Sequence, residues 1–395
     1  MKYNFDTPID RHNSTSFKWN GAHLFLGEKA MNALPLWVAD MDFRVPREVI
    51  ETLKQTADHG IFGYSIIPDS YYDSIISWMN KQYKWSIKRE WIYHSPGIVT
   101  GLNCIVNAFT NEGDAIAIQP PVYYPFTNCI VNNNLRVVNN CLTLSNNLYT
   151  IDYDDLEKCL AIDNVKMLIL CNPHNPVGRV WTRDELTILG HICLKYNIIV
   201  VSDEIHADLT FGDFSTTAFA NISDDFARNT IICTSASKTF NLAGLQTANI
   251  IIPNNELGNI FYKYMTRLNL LRPNIFGQVA TQSAYNFGEE WLLQVKNYLQ
   301  DNLNFLLHYI NQNITGINVI KPEGTYLVWL DCRELGMGGE ELKMFMLDRA
   351  GVAFDDGYLF GPGGEGFTRM NIACTRQTLH EALRRIAQAL KEKKA

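Results

Sequence analysis

The chain has 395 residues, 47% of them hydrophobic and 19% charged, and a formal net charge of −7. That content supports a sizeable core, the length favours two domains over one, and the acidic balance leaves no basic field to attract nucleic acid. No apolar run approaches the about 20 residues that cross a bilayer, Met1 to Asp10 lacks the basic-then-apolar layout of a signal peptide, and nine singly scattered cysteines without a C-x-x-C pair argue against a disulfide framework or a metal site and for a reducing cytoplasm.

In chain order, Leu36–Ala39 comes before any alternation of strand and helix, so the N-terminal segment is expected to cross over and join the C-terminal part of the fold. Pro96-Gly97 opens a helix with Leu102, Ile105, Val106 and Phe109 at helical spacing. Short apolar runs at Ala115–Ile118, Leu135–Val138, Met167–Leu170, Ile198–Val201, Ile231–Thr234 and Ala248–Ile252 read as strands. Asn132 to Asn134 and the Asn139–Asn140 pair read as turns. An amphipathic helix with Leu186, Leu189, Ile192 and Tyr196 on one face begins near Arg183 under a capping box of Thr182 and Glu185.

This alternation predicts a mostly parallel, doubly wound α/β sheet whose ligands sit at the strand C-terminal ends. After about Tyr285 the pattern changes to long helices, then strands at Tyr326–Leu330, Val352–Phe354 and Thr368–Ala373. A last helix carries Leu379, Leu383, Ile386 and Leu390 on one face, with Thr378 and Glu381 as its expected cap. The expected organisation is a large domain over 48–285 and a smaller α+β domain made of 1–47 and 286–395.

Three polar segments follow successive predicted strands: Asn172-Pro173-His174-Asn175-Pro176-Val177-Gly178, Ser202-Asp203-Glu204-Ile205-His206, and Ser235-Ala236-Ser237-Lys238-Thr239-Phe240-Asn241. In a parallel sheet these strand ends converge on one crevice. The combination suits pyridoxal 5′-phosphate (PLP), which needs a lysine for its Schiff base, an acid to keep its pyridine nitrogen protonated, and ligands for its phosphate. Lys238 and Asp203 fill the first two roles, and Ser235 and Ser237 flank the lysine closely enough to offer hydroxyls. The Pro96-Gly97-Ile98-Val99 turn opens a helix, whose free N–H groups and dipole favour an anion.

On these segments, together with Trp37-Val38-Ala39-Asp40-Met41-Asp42-Phe43 and Arg369-Met370-Asn371-Ile372-Ala373, the chain resembles a fold-type I PLP enzyme of the class I/II aminotransferase family. Within that family it looks most like the cystathionine β-lyase-like branch of C–S lyases. The resemblance implies a PLP-dependent transferase-like fold, with a mostly parallel seven-stranded sheet in the large domain. It further implies that Lys238 carries the cofactor and moves the substrate proton, that Asp203 pairs with the pyridine nitrogen, and that Asn175 bonds the phenolic oxygen. Tyr123 matches the ring that stacks on PLP. Arg369 matches the fork that grips the substrate α-carboxylate, while Tyr64 matches a tyrosine that reaches the neighbouring subunit's phosphate in a homodimer. Two departures stand out. His206 replaces the tyrosine that aspartate-aminotransferase-like members carry three residues after the acid, and Gln246 replaces their arginine eight residues after the lysine.

Rival readings accompany several positions. An isolated S-x-S-K is a weak signal, because most lysines are solvated; its register with the other two loops gives it weight. Asp203 has a helix N-cap as its alternative role, and His206 reads equally as a satisfied buried histidine. His174 reads as a loop residue. The serines could cap a turn, with Ser235 the stronger phosphate ligand of the two. Adjacent Tyr123 and Tyr124 should split between site and core. For Arg369 the rival is a structural ion pair, and Arg376 competes for the carboxylate. Trp37 and Asp40 are expected to shape the substrate cleft or to pack at the domain joint. Gly361-Pro362-Gly363-Gly364 reads as a loop beside the site, since no G-K-[ST] follows it. The chemistry implied is elimination from cystathionine, cysteine or its S-conjugates, with transamination, or a regulatory role on the same fold, as alternatives.

Overall fold

Strands covered on both faces need apolar side chains at every position, which is why the central runs here are unbroken rather than alternating. In the computed structural model, which describes residues 2–394, seven strands form one sheet. They are β1 (Ile92–Ser95), β2 (Ala115–Ile118), β3 (Arg136–Asn139), β4 (Val165–Cys171), β5 (Ile199–Asp203), β6 (Thr230–Thr234) and β7 (Ala248–Ile251). Across the sheet the order is β1-β7-β6-β5-β4-β2-β3. Only β7 runs antiparallel to its neighbours, β1 and β6; the remaining pairs are parallel. The mostly parallel sheet predicted by the alternation is present, with the seven strands that the resemblance implies. β1 lies outside the expected strands, because Ile-Tyr-His-Ser offers too short an apolar run to read.

Alternate side chains leave opposite faces of a strand, and the core divides accordingly. Leu168, Leu170, Val200 and Ile232 join one apolar cluster, while Met167, Ile169, Val201 and Ile231 join another on the other face. Helix α1 (Ile98–Phe109) and the short α2 (Pro125–Val131) follow β1 and β2. Helix α3 (Arg183–Lys195) starts where the capping box places it, with both Thr182 and Glu185 bonds formed. Leu186 and Leu189 on its inner face are fully buried.

Beyond α4 (Ala236–Thr239) and the long α5 (Glu289–Asn313), a second sheet of four antiparallel strands forms. Its members β8 (Asn318–Ile320), β9 (Leu327–Asp331), β10 (Asp355–Asp356) and β11 (Phe367–Asn371) lie in the order β8-β9-β11-β10. The N-terminal segment does cross to this end of the molecule. Leu34–Pro35 pairs in parallel with Val352–Ala353, and Leu36 continues the contact by bonding Ala353 and Asn371 through its backbone, at 2.9 and 2.8 Å.

Two local expectations are corrected. The last helix, α6 (Arg376–Lys394), begins before Thr378. Its first turn is capped by Thr375, whose Oγ1 accepts from Thr378 N at 3.1 Å, while Glu381 binds Arg384 and Arg385 instead of reaching back. Asn139 and Asn140 do not make a turn: Asn139 ends β3, and buried Asn140 donates to the Asp152 carbonyl at 3.0 Å. Among the described residues no helix is long and apolar enough to cross a membrane.

Candidate active site

The register of the central strands brings the three polar loops to one level. Asp203, the last residue of β5, lies between Cys171 of β4 and Cys233 of β6. The backbone pairing carries on past the strands, from Asn172 N to Asp203 O at 3.0 Å and from Glu204 N to Cys233 O at 2.9 Å. A cavity of about 250 Å³ opens above these ends, and its walls include Asp203, Asn175, Tyr123, His206, Ser237 and Lys238. The convergence expected from the sequence is therefore realised in space.

Lys238 sits in α4, a helix of four residues. Its Nζ donates to the carbonyl of Ala39 at 2.6 Å. Burial pulls the ammonium pKa down to about 8, with Arg369 lowering it further and Asp40 and Asp203 opposing. The helix is held at both ends. Before it, the Ser235 Oγ accepts from Ser237 N at 3.0 Å and donates to Thr247 O at 2.7 Å. After it, Asn241 adopts a left-handed conformation (φ 58°) that asparagine tolerates better than most residues. From there its side chain grips the backbone of the N-terminal segment, accepting from Met41 N at 2.9 Å and donating to Met41 O at 2.9 Å and Phe43 O at 3.0 Å. Thr239 adds a bond to the half-buried Asp208 at 2.7 Å.

Asp203 is buried and accepts from Ile205 N at 3.2 Å. Burial raises its carboxyl to about 7, offset in part by that amide and by Lys238. His206 also lines the cavity, packed edge-on to Tyr326 at 5.9 Å, and its Nδ1 has no partner. Burial, with Lys238 and Arg369 nearby, holds the imidazole neutral by keeping its pKa well below the ordinary value. Of the two readings of His206, the satisfied core histidine is not the one seen. His174 lies outside the cavity walls; its Nε2 meets the Pro121 carbonyl at 3.0 Å and its ring edges Trp181.

The tyrosine pair divides as expected. Tyr123 lines the cavity and joins its backbone N to Asn175 O at 3.0 Å, while Tyr124 turns to Phe360, 5.7 Å away. Arg369 on β11 is buried, stacked over Phe360 at 5.0 Å. It donates to Asn175 Oδ1 at 2.9 Å, to Trp37 O at 3.0 Å and to the Asp355 carboxylate, and its Nε has no partner. The structural ion pair weighed as a rival thus exists beside the site. Arg376 is removed from the competition, because its Nε bonds Asn302 at 2.8 Å and its guanidinium covers Phe305.

Three expectations need correction. The Trp37 side chain packs with Phe17 and donates to Lys18 O at 2.9 Å, so Trp37 meets the site only through its carbonyl on Arg369. The Asp40 carboxylate lies in the fork of Arg11, at 3.0 and 2.8 Å, and does not line the cavity; the residue of this segment that does is Ala39. Finally, the serines exchange rank. Both sides of the Ser235 hydroxyl are engaged in holding α4, whereas Ser237 lines the cavity.

The far end of the cavity is the start of α1, which no side chain caps. Gly97 has φ 87° there, and a Cβ on it would stand 3.1 Å from Gln246 Oε1. Ile98, Val99, Gln246 and Thr247 complete this end. Tyr64 is fully exposed and does not line the cavity. The residues present fit PLP: an uncapped helix end for a phosphate, a buried carboxyl for a ring nitrogen, and an amine for an aldehyde. Sequence reasoning missed the Asn241 clamp, the Ala39 carbonyl and Asp355. Asn241 follows Lys238 by three residues in sequence, but Asp355 lies opposite Arg369 only through strand register.

The family model for aminotransferase class I and II matches residues 32–386. The chain is 41% identical to the cystathionine beta-lyase PatB of Bacillus subtilis, over 98% of this chain and 100% of that protein. A PLP-bound aminotransferase candidate from Clostridium difficile 630 superposes with a TM-score of 0.96 at 43% identity, covering 98% of this chain and 100% of that one. The PLP-bound C–S lyase of Staphylococcus hominis gives 0.92 at 34% identity, covering 99% and 98%.

Proposed function

The chain belongs to the aminotransferase class I and II family, and on that footing we propose that it is a PLP-dependent C–S β-lyase that cleaves cystathionine or related cysteine S-conjugates to thiol, pyruvate and ammonia. What carries this reading is that Lys238 and Asp203 line one cavity in a chain that matches a cystathionine beta-lyase along its whole length.

When bound, the cofactor supplies an electron sink that acidifies the substrate Cα–H bond. Lys238 would hold it covalently, with Asp203 at the pyridine nitrogen, the Asn175 amide at the phenolic oxygen and the Tyr123 ring against its face. Its phosphate would take the N–H groups of Gly97, Ile98 and Val99 and the hydroxyl of Ser237, with Ser235 holding the turn that presents them. Arg369 receives the substrate α-carboxylate through the N–H groups its protein partners leave free. Lys238, once its amine is free, takes the Cα proton; a pKa of about 8 leaves it partly neutral near pH 7 and close enough in basicity to do so. The neutral His206 brings no competing charge to that wall. Departure of sulfur with the C–S electron pair and a proton gives the thiol, and the released enamine hydrolyses to pyruvate and ammonia.

Tyr64 stands on an exposed stretch with Ile61, Phe62 and Ile66. We read it as the contribution of one subunit to its neighbour's phosphate site in a homodimer. All nine thiols are free, in keeping with a reducing cytoplasm. Domain limits of 48–285 and of 1–47 with 286–395 accompany this reading.

Transamination is the second reading, favoured by the Clostridium difficile structure described as an aminotransferase. Incubation of the purified enzyme with cystathionine or S-methylcysteine, without a keto acid, separates the two. Thiol and pyruvate in equal amounts are expected. Turnover that depends strictly on a keto acid and releases no thiol would overturn the lyase assignment.

A further inference from the structure

The partners of Arg369 differ in kind. A guanidinium has five N–H donors. One on Nη1 goes to the amide oxygen of Asn175 and one on Nη2 to the Trp37 carbonyl, both neutral acceptors. Another on Nη2 goes to the carboxylate of Asp355. Asp355 and Arg369 are direct cross-strand partners of β10 and β11, and both side chains are buried. Arg369 is the only cation ion-paired with Asp355 among the described residues. The next residue, Asp356, bonds Tyr358 at 3.2 Å and faces Lys343 at 3.8 Å, so it does not share this arginine.

We propose that Asp355 is the resident counterion of the carboxylate-binding arginine and sets how strongly the enzyme grips a substrate carboxylate. The proposal rests on the reading of Arg369 given above. An arriving carboxylate meets a cation that is already neutralised, and binding gathers two anions around one buried guanidinium. Each additional negative charge in such a setting opposes the next. The enzyme's hold on carboxylates that lack an amino group, its own product pyruvate among them, is thereby kept weak. Amino acids keep a second anchor, because their amine reacts at the Lys238 end of the cavity. Asp355 is in this sense a specificity residue that acts through Arg369.

The test uses the purified, cofactor-loaded enzyme, cystathionine as substrate and propionate as a carboxylate that cannot react with an amine. Asp355→Asn keeps the shape and an acceptor for Arg369 but removes the charge. It should lower KM and the propionate inhibition constant on the order of tenfold each, with a smaller change in kcat. Propionate should also raise the melting temperature of this variant at concentrations that leave the parent unmoved. Asp355→Ser, which removes the charge with a smaller side chain, should move both constants the same way and serves if the asparagine variant does not fold. Unchanged or increased constants in a folded variant would overturn the proposal and reduce Asp355 to a strut. Arg369→Lys is measured in parallel. If it weakens both constants while Asp355→Asn fails to tighten them, only the counterion idea falls; if it weakens neither, the carboxylate reading of Arg369 falls and takes the counterion with it.

Discussion

The ammonium of Lys238 donates to the backbone carbonyl of Ala39 at 2.6 Å, joining residues 199 positions apart. A neutral carbonyl is a partner for the charged amine without being a counter-charge, so burial prevails and the lysine loses its proton easily, at about 8 instead of 10.5. The sign follows from the direction. Lowering the pKa leaves the reactive, neutral amine populated at lower pH than for a solvated lysine. Uptake of PLP by cofactor-free enzyme, followed by absorbance, should therefore accelerate as pH rises and reach half its maximum near pH 8. A midpoint in the ordinary lysine range would contradict this environment for Lys238.

Asp203 should matter more for rate than for retention of the cofactor. An amide in its place has the same shape but cannot balance a protonated pyridine nitrogen. Asp203→Asn should still carry PLP on Lys238, with thiol release slowed on the order of a hundredfold or more. A variant within about threefold of the parent would remove Asp203 from this role.

Gly97 makes the opposite prediction. Its φ of 87° with ψ 162° is a conformation that essentially only glycine adopts, and a Cβ would crowd Gln246 at 3.1 Å. Gly97→Ala should distort the start of α1 and weaken PLP retention about tenfold, read by equilibrium dialysis. Retention equal to the parent's would show that the phosphate end does not depend on this turn.

Replacing Asn241 tests the clamp on the N-terminal segment. Asn241→Gly preserves the left-handed backbone, so any loss reports the three side-chain bonds and not strain. Leaving Met41 and Phe43 backbone groups unpaired should cost about 2–4 kcal/mol in urea unfolding. Asn241→Ala should cost more, since a left-handed conformation is strained for alanine. Equal stability of the glycine variant and the parent would mean the segment is held by its other contacts alone.

Much of this site was legible because its chemistry lies in short segments that end strands. Unbroken apolar runs located β2, β5 and β6 to within a residue or two, and a parallel sheet brings their ends together wherever the loops wander. Thr182 and Glu185 fixed the start of α3 because a capping box is wholly local. What escaped depends on register or on the backbone. Asp355 owes its place to pairing opposite Arg369, and Ala39 acts through a carbonyl that every residue possesses. The order of Ser235 and Ser237 turned on which hydroxyl the protein itself engages, and Ser235 Oγ is the one bonded to Ser237 N and Thr247 O. Trp37 misled for a related reason, its indole serving the core while its carbonyl serves the site.

The grip of Asn241 on Met41 and Phe43 also has a consequence for the growing chain. Residues 36–43 leave the ribosome early, yet their partners at Asn241, Ala353 and Asn371 are made long after them. Until then this apolar stretch, with Leu36, Met41 and Phe43 all destined for burial, has only early-made neighbours such as Phe5 and Phe17 to pack on. Contacts of such long sequence separation close late and leave hydrophobic surface open meanwhile. Nascent chains stalled before residue 241 should therefore keep this stretch open to proteases and chaperones, and Ala39 can meet the cavity only after Lys238 and Asn241 have emerged.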